Sequence, residues 1–167
     1  EANRYPDAPE DALVVAIARE HGVSEDNVVL GCGSSEILRM CVEAYTSTDR
    51  HLVTAGPTFE LPAAFAHTIG RSVVSVPVDA RLRLDLNAMA DKSGGAGLLF
   101  FCNPNNPTAT VHGDAVVRDF VARVRKASPA TVILIDEAYH EYVDDPSYAT
   151  AIPLVMRALK VLSEREV

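Results

Sequence analysis

Apolar positions along the chain switch between two periods, and the switching predicts helices alternating with strands. Leu13, Val14, Ile17 and Ala18 share one face of a helix that Gly22 stops. Its start is marked by Asp7 with Glu10 three residues on and Pro9 between them, a capping box. A short apolar strand is predicted over 27–30. The helix that follows carries Ile37, Leu38, Cys41, Val42 and Tyr45 on one side. Strand patterns recur over 52–54, 72–78, 98–102 and 132–135, the last two continuously apolar, as in strands buried on both faces. Helical patterns separate them over 59–69, 85–92 and 114–126, the last with a stripe of Val116, Val117, Phe120, Val121 and Val124. Such alternation implies βαβ units, so the expected fold is α/β, a three-layer α/β/α arrangement around a mainly parallel sheet.

In open parallel sheets, ligands sit beyond the carboxyl ends of the strands. The polar punctuation of this chain falls at those ends: Gly31-Cys32-Gly33-Ser34-Ser35-Glu36, then Cys102-Asn103-Pro104-Asn105-Asn106-Pro107, then Asp136-Glu137-Ala138-Tyr139. Two glycines before a helix let backbone N–H groups approach an anion, although a tight turn with a serine cap would use the same residues. The third glycine of a dinucleotide fingerprint is missing, because Glu36 stands in its place. Asp136 ends the most hydrophobic strand, where a carboxylate is costly without a cation, a metal or hydrogen-bond donors. Tyr139 lies three residues on, within reach of it. In the proline-rich corner, Pro104 and Pro107 stiffen a loop whose Asn103 and Asn106 amides suit either an Asx-type turn or a preorganised site.

Composition narrows the choice. The chain has 167 residues, the size of one domain, with a net charge of −8 and no basic cluster, which argues against a nucleic-acid partner. Three cysteines without C-x-x-C spacing give neither a disulfide framework nor a zinc site, and point to a reducing cytoplasm. No apolar run has the roughly 18 residues of a membrane helix. None of the five histidines has metal spacing, so no metal is expected, and no G-x-S-x-G nucleophile elbow occurs. The chain opens on Glu1 rather than Met, so a piece of a longer protein is expected.

Taken in order, NRYPD, GCGSSE, GPTFELP, NPNNPT and DEAYHEY resemble the large domain of fold-type I pyridoxal-phosphate-dependent aminotransferases, most closely the histidinol-phosphate branch. The resemblance runs from Asn3 to about Val155. It implies pyridoxal 5′-phosphate as cofactor, small-molecule amino-acid and 2-oxoacid substrates, and a homodimer. It implies that Asp136 pairs with the pyridine nitrogen and that Asn106 and Tyr139 bond the phenolic oxygen. It further implies that Ser34, Ser35 and Glu36 form the segment that holds the phosphate, and that Phe59 stacks on the ring. Tyr5 would reach the phosphate of the partner subunit's cofactor.

Two departures accompany it. Ala109 replaces the glycine of NPTG. The Schiff-base lysine, expected one strand beyond DEAY in a Ser-Lys context, has no counterpart. Lys92 and Lys126 are misplaced, and Lys160 in MRALKVLSEREV lacks the motif. Residues 1–167 are therefore expected to be a partial large domain without small domain or N-terminal arm, and catalytically incomplete. The same residues would also serve decarboxylation or elimination on this fold. A non-catalytic α/β module binding a phosphate ligand at GCGSSE is the reading that gives Asp136 and Tyr139 no work.

Overall fold

The computed structural model describes residues 9–154. Four strands, β1 (His51–Gly56), β2 (Val73–Pro77), β3 (Ala96–Cys102) and β4 (Val132–Asp136), form one parallel sheet in the order β2-β1-β3-β4. Helices α1 (Pro9–His21), α2 (Ser34–Tyr45), α3 (Leu61–Thr68), α4 (Leu86–Asp91) and α5 (Asp114–Ala127) surround it. Among the described residues no helix is long and apolar enough to cross a membrane.

The alternation of side chains along each strand divides the core in two. Val53, Leu99 and Phe101 face Met89 of α4 and Phe120 and Val124 of α5. Leu52, Leu98 and Phe100 face Leu38 and Val42 of α2 and Ala66 of α3. The three-layer expectation is thus met. Each fully buried Leu, Val or Phe in these layers contributes about 1.5–3 kcal/mol, so β3, buried along its whole length, anchors the domain.

The strand expected over 27–30 is not formed. A single 3₁₀ turn, Glu25–Asn27, leads into extended chain that belongs to no ladder, and Val29 is 67% exposed. An apolar tripeptide becomes a strand only when a neighbour takes its N–H and C=O groups, and no described strand lies beside it. β4 differs from its expectation in degree: it pairs with β3 along one side but is only half-buried throughout. The helix expected from Phe59 begins at Leu61, because Pro62 fits the first turn of a helix and nowhere later. Asp85 caps α4 by accepting from the Ala88 N–H at 3.0 Å. The capping box at Asp7 lies outside the described residues.

Two features orient the layers. β3 pairs with β4 so that Cys102 stands beside Asp136. Val132 and Leu134 pack into the α2/α3 layer while Ile133 and Ile135 pack into the other, so alternation puts Asp136 on the α2/α3 side. At the opposite end of the sheet Gly97 touches the end of α2, where an added Cβ would overlap the Tyr45 carbonyl oxygen. α2 has 12 residues, about 18 Å, and runs back along the sheet, so its first turn lies toward the strand exits.

Candidate functional site

The β1 and β3 exits are joined by one buried amide. Asn105, 2% exposed, accepts from the Thr58 hydroxyl at 2.6 Å and donates to the Pro57 carbonyl at 3.1 Å and to Thr108 Oγ1 at 2.8 Å. The segment carrying Phe59 is thereby held against the proline-rich corner, with Phe59 packed half-buried on the α2/α3 layer.

Asn103 is committed as well. Its amide exchanges two hydrogen bonds with the backbone of His112, at 3.0 and 2.8 Å, and its own N–H donates to the Asp136 carbonyl at 2.9 Å. Of the three asparagines in this corner, Asn106 alone has a side chain with no hydrogen-bond partner among the described residues, and it is half-buried. The corner closes through Ala109, whose φ of 54° lies in the left-handed region. His112 is buried behind it, with Arg83 donating to Nδ1 at 3.2 Å. Burial and the Arg83 charge push its pKa below the ordinary histidine value.

At the β4 exit, Asp136 accepts one described hydrogen bond, from the Ala138 N–H at 3.1 Å, and no described cationic side chain pairs with it. Burial, with the neighbouring Glu137 charge, raises its pKa above the ordinary carboxylate value. A carboxylate so placed gains from any cation or hydrogen-bond donor brought to it. Beside it, burial pushes the Cys102 thiol up to about 11, so it is a neutral packing group. Tyr139 is 45% exposed and its ring lies 6.3 Å from that of Tyr142. Asn106 and Tyr139 line the same hollow, about 350 Å³, together with Pro107, Ala109 and Tyr142.

The first turn of α2 presents Ser34 and Ser35, both exposed, after Gly33 at φ 79°. The N–H groups opening a helix have no intrahelical partner, so this end is suited to an anion. Glu36 serves the turn itself: its carboxylate accepts from the Cys32 N–H at 2.6 Å.

Asn106 and Tyr139 are thus brought to one hollow, Asp136 and Phe59 to one face of the sheet, and Ser34 and Ser35 to the corresponding end of α2. Tyr5 and Lys160 lie outside the described residues. Lys92 follows α4, where its carbonyl meets His51 at the entry of β1, and Lys126 is in the last turn of α5, ahead of β4. Both are at the wrong edge. The sequence motifs give no role to Asn105, Thr58, Tyr148 or Glu137. Asn105 sat inside the motif, but nothing in the pattern told which asparagine would be buried. Glu137 is pinned by Thr150 Oγ1 at 2.6 Å and the Ala151 N–H at 2.8 Å, and the Tyr148 hydroxyl lies 3.4 Å from it.

The chain matches the family model of aminotransferase class I and II over residues 1–164. It is 37% identical over 157 residues to a histidinol-phosphate aminotransferase of Limosilactobacillus fermentum, covering 93% of this chain and 43% of that protein. To an aromatic amino acid aminotransferase of Rhodococcus jostii it is 38% identical over 143 residues, 84% of this chain and 39% of the other. Among solved structures it is similar to histidinol-phosphate aminotransferase from Sinorhizobium meliloti in complex with pyridoxal-5′-phosphate. There the TM-score is 0.78 at 25% identity, over 87% of this chain and 39% of that one. The chain therefore spans about two fifths of the length of the curated relatives it matches.

Proposed function

The chain belongs to the class I and II aminotransferases, and from that premise we propose that its strand exits hold pyridoxal 5′-phosphate for amino-group transfer between an amino-acid-like donor and a 2-oxoacid. The observation that carries the reading is Asp136: a carboxylate at a sheet edge, half-buried, raised in pKa, and without a cationic partner among the described residues. That is a poor arrangement for a structural residue and a good one for a group waiting on a protonated ring nitrogen.

The other residues fit the same ligand. Ser34 and Ser35, with the N–H groups of the α2 start, would hold the phosphate dianion, and Glu36 would shape that turn through its bond to Cys32. Phe59 would cover the ring from the α2/α3 side, where its aromatic face excludes water. Asn106 and Tyr139, sharing one hollow, would donate to the phenolic oxygen and stabilise its anion. When bound, the cofactor supplies an electron sink for the pair released as substrate Cα loses its proton. Asp136 keeps that sink protonated. No described side chain is assigned to move the Cα proton, since Lys92 and Lys126 stand at the opposite sheet edge.

We assign the histidinol-phosphate type of donor on the strength of the relatives named above, and a cytoplasmic homodimer in which Tyr5 reaches the partner's cofactor phosphate, on the resemblance of NRYPD. The test is a titration of this chain with pyridoxal 5′-phosphate, followed by absorbance and by the phosphorus resonance of the cofactor. Binding that Asp136→Ala weakens at least tenfold is expected. Affinity unchanged in Asp136→Ala would instead favour a phosphate-binding module with no use for the ring.

A further inference from the structure

We propose that Tyr148, outside every motif considered above, is a positioning residue that locks the turn carrying Asn106 to the turn carrying Asp136 and Tyr139. Its hydroxyl lies 3.3 Å from the Asn103 carbonyl and 3.4 Å from Glu137 Oε1, so a single proton is shared between the two strand exits. Burial, with the Glu137 charge, raises the phenol well above its ordinary pKa, which keeps that proton in place at any working pH.

The residues around Tyr148 form a strap anchored at both ends. The Asp114 N–H donates to the Ser147 carbonyl at 2.8 Å, and Gly113 approaches so closely that an added Cβ would lie 2.5 Å from Ser147 Oγ. Asp145 accepts from the Ser147 N–H at 2.8 Å, and beyond Tyr148 both Thr150 and Ala151 bond Glu137. Asn103 in turn donates its N–H to the Asp136 carbonyl. A closed circuit results: Asp136 to Asn103, Asn103 to Tyr148, Tyr148 to Glu137, and Glu137 back along the chain to Asp136. Without the Tyr148 hydroxyl, the two loops are joined by the last ladder bond at the sheet and by the Asp114–Ser147 bond farther out, and no other hydrogen bond among the described residues ties the Asn103 turn to the Glu137 turn. With the circuit closed, the separation of Asn106 from Tyr139 is set before any ligand arrives.

The inference rests on the cofactor reading only for its purpose, and it is tested without ligand. In the ¹³C,¹⁵N-labelled chain, Tyr148→Phe keeps the ring and removes the shared proton. It is expected to move the side-chain amide resonances of Asn106 and the ring resonances of Tyr139. Thr150→Val removes a different donor to Glu137 that does not reach Asn103. It is expected to lower the thermal midpoint while leaving Asn106 in place. Shifts in Tyr148→Phe confined to residues 137–151, or equal Asn106 shifts in both variants, overturn the proposal. Pyridoxal 5′-phosphate then separates the two readings. Tyr148→Phe is expected to bind about threefold more weakly than the parent, the worth of one modest hydrogen bond. Unchanged binding overturns the positioning role, whereas a parent chain that does not bind overturns the cofactor assignment and leaves the resonance comparison to decide this one.

Discussion

The Thr58 hydroxyl donates to Asn105 Oδ1 at 2.6 Å, a bond between residues 47 apart in sequence and carried by the exits of two adjacent strands. Because the same amide also donates to Pro57 and Thr108, removing it deletes three part-buried hydrogen bonds at once. Asn105→Ala is expected to cost about 2–4 kcal/mol, since each such bond contributes about 0.5–1.5 kcal/mol. Thermal unfolding measures the loss. Thr58→Val, which deletes one bond, should cost about half as much.

Ala109 occupies a left-handed backbone position at φ 54° that a glycine would hold without steric cost. Ala109→Gly is expected to stabilise the chain by about 0.5–1 kcal/mol, the left-handed penalty less the larger entropy of glycine in the unfolded state. Ala109→Val, β-branched, should destabilise it. Urea midpoints of the three proteins should fall in the order Gly, Ala, Val.

Asp136 is expected to trade stability for binding. Its folded pKa is raised, so the folded state holds the proton more tightly than the unfolded state does. Stability from this group is therefore greatest below the unfolded value and declines as pH rises through the raised one. Asp136→Asn removes the buried charge, and a gain of about 1–3 °C in the thermal midpoint at pH 7 is expected. The gain should vanish near pH 3, where the parent is also neutral. Affinity for pyridoxal 5′-phosphate should fall in the same variant, as an amide pairs poorly with a cationic ring.

His112 has the opposite linkage. Burial and the Arg83 charge depress its pKa, against weaker raising contributions from the Leu84 backbone and Asp79. The unfolded chain then takes up the proton first. Stability is full above the unfolded value near 6.5 and is lost as pH falls from there toward the depressed folded value. Urea midpoints between pH 8 and pH 5 should decline accordingly. His112→Gln should flatten that part of the profile, since the Asn103 bonds are made to the backbone of position 112 and survive the change.

Gly97 has no room for a side chain, because a Cβ there would run into the Tyr45 backbone at the end of α2. Gly97→Ala is expected to cost about 1–3 kcal/mol as α2 shifts off the entry of β3. Gly94→Ala, three residues earlier, meets nothing within 4 Å and serves as the neutral control in the same denaturation series.

The sequence by itself determined the layers and the identity of the chemical residues. Alternating periods named the four strands and five α-helices found among the described residues, because burial of an apolar face is written locally, residue by residue. Asp136, Tyr139 and the α2 turn were legible for a related reason: a carboxylate or a glycine pair at the end of an apolar run is conspicuous without any partner in view. Tertiary structure alone decided which strands pair, and so turned the apolar run over 27–30 into exposed chain and left β4 half-buried at the edge. It also sorted three equivalent-looking asparagines into two buried struts and one uncommitted amide, and it recruited Thr58 and Tyr148 from 47 and 45 residues away to hold them. Hydrogen bonds between strand exits have no period, because they depend on where separate loops meet after the sheet has formed. For that reason the chemistry of this edge could be read along the chain, while the framework that positions it could not.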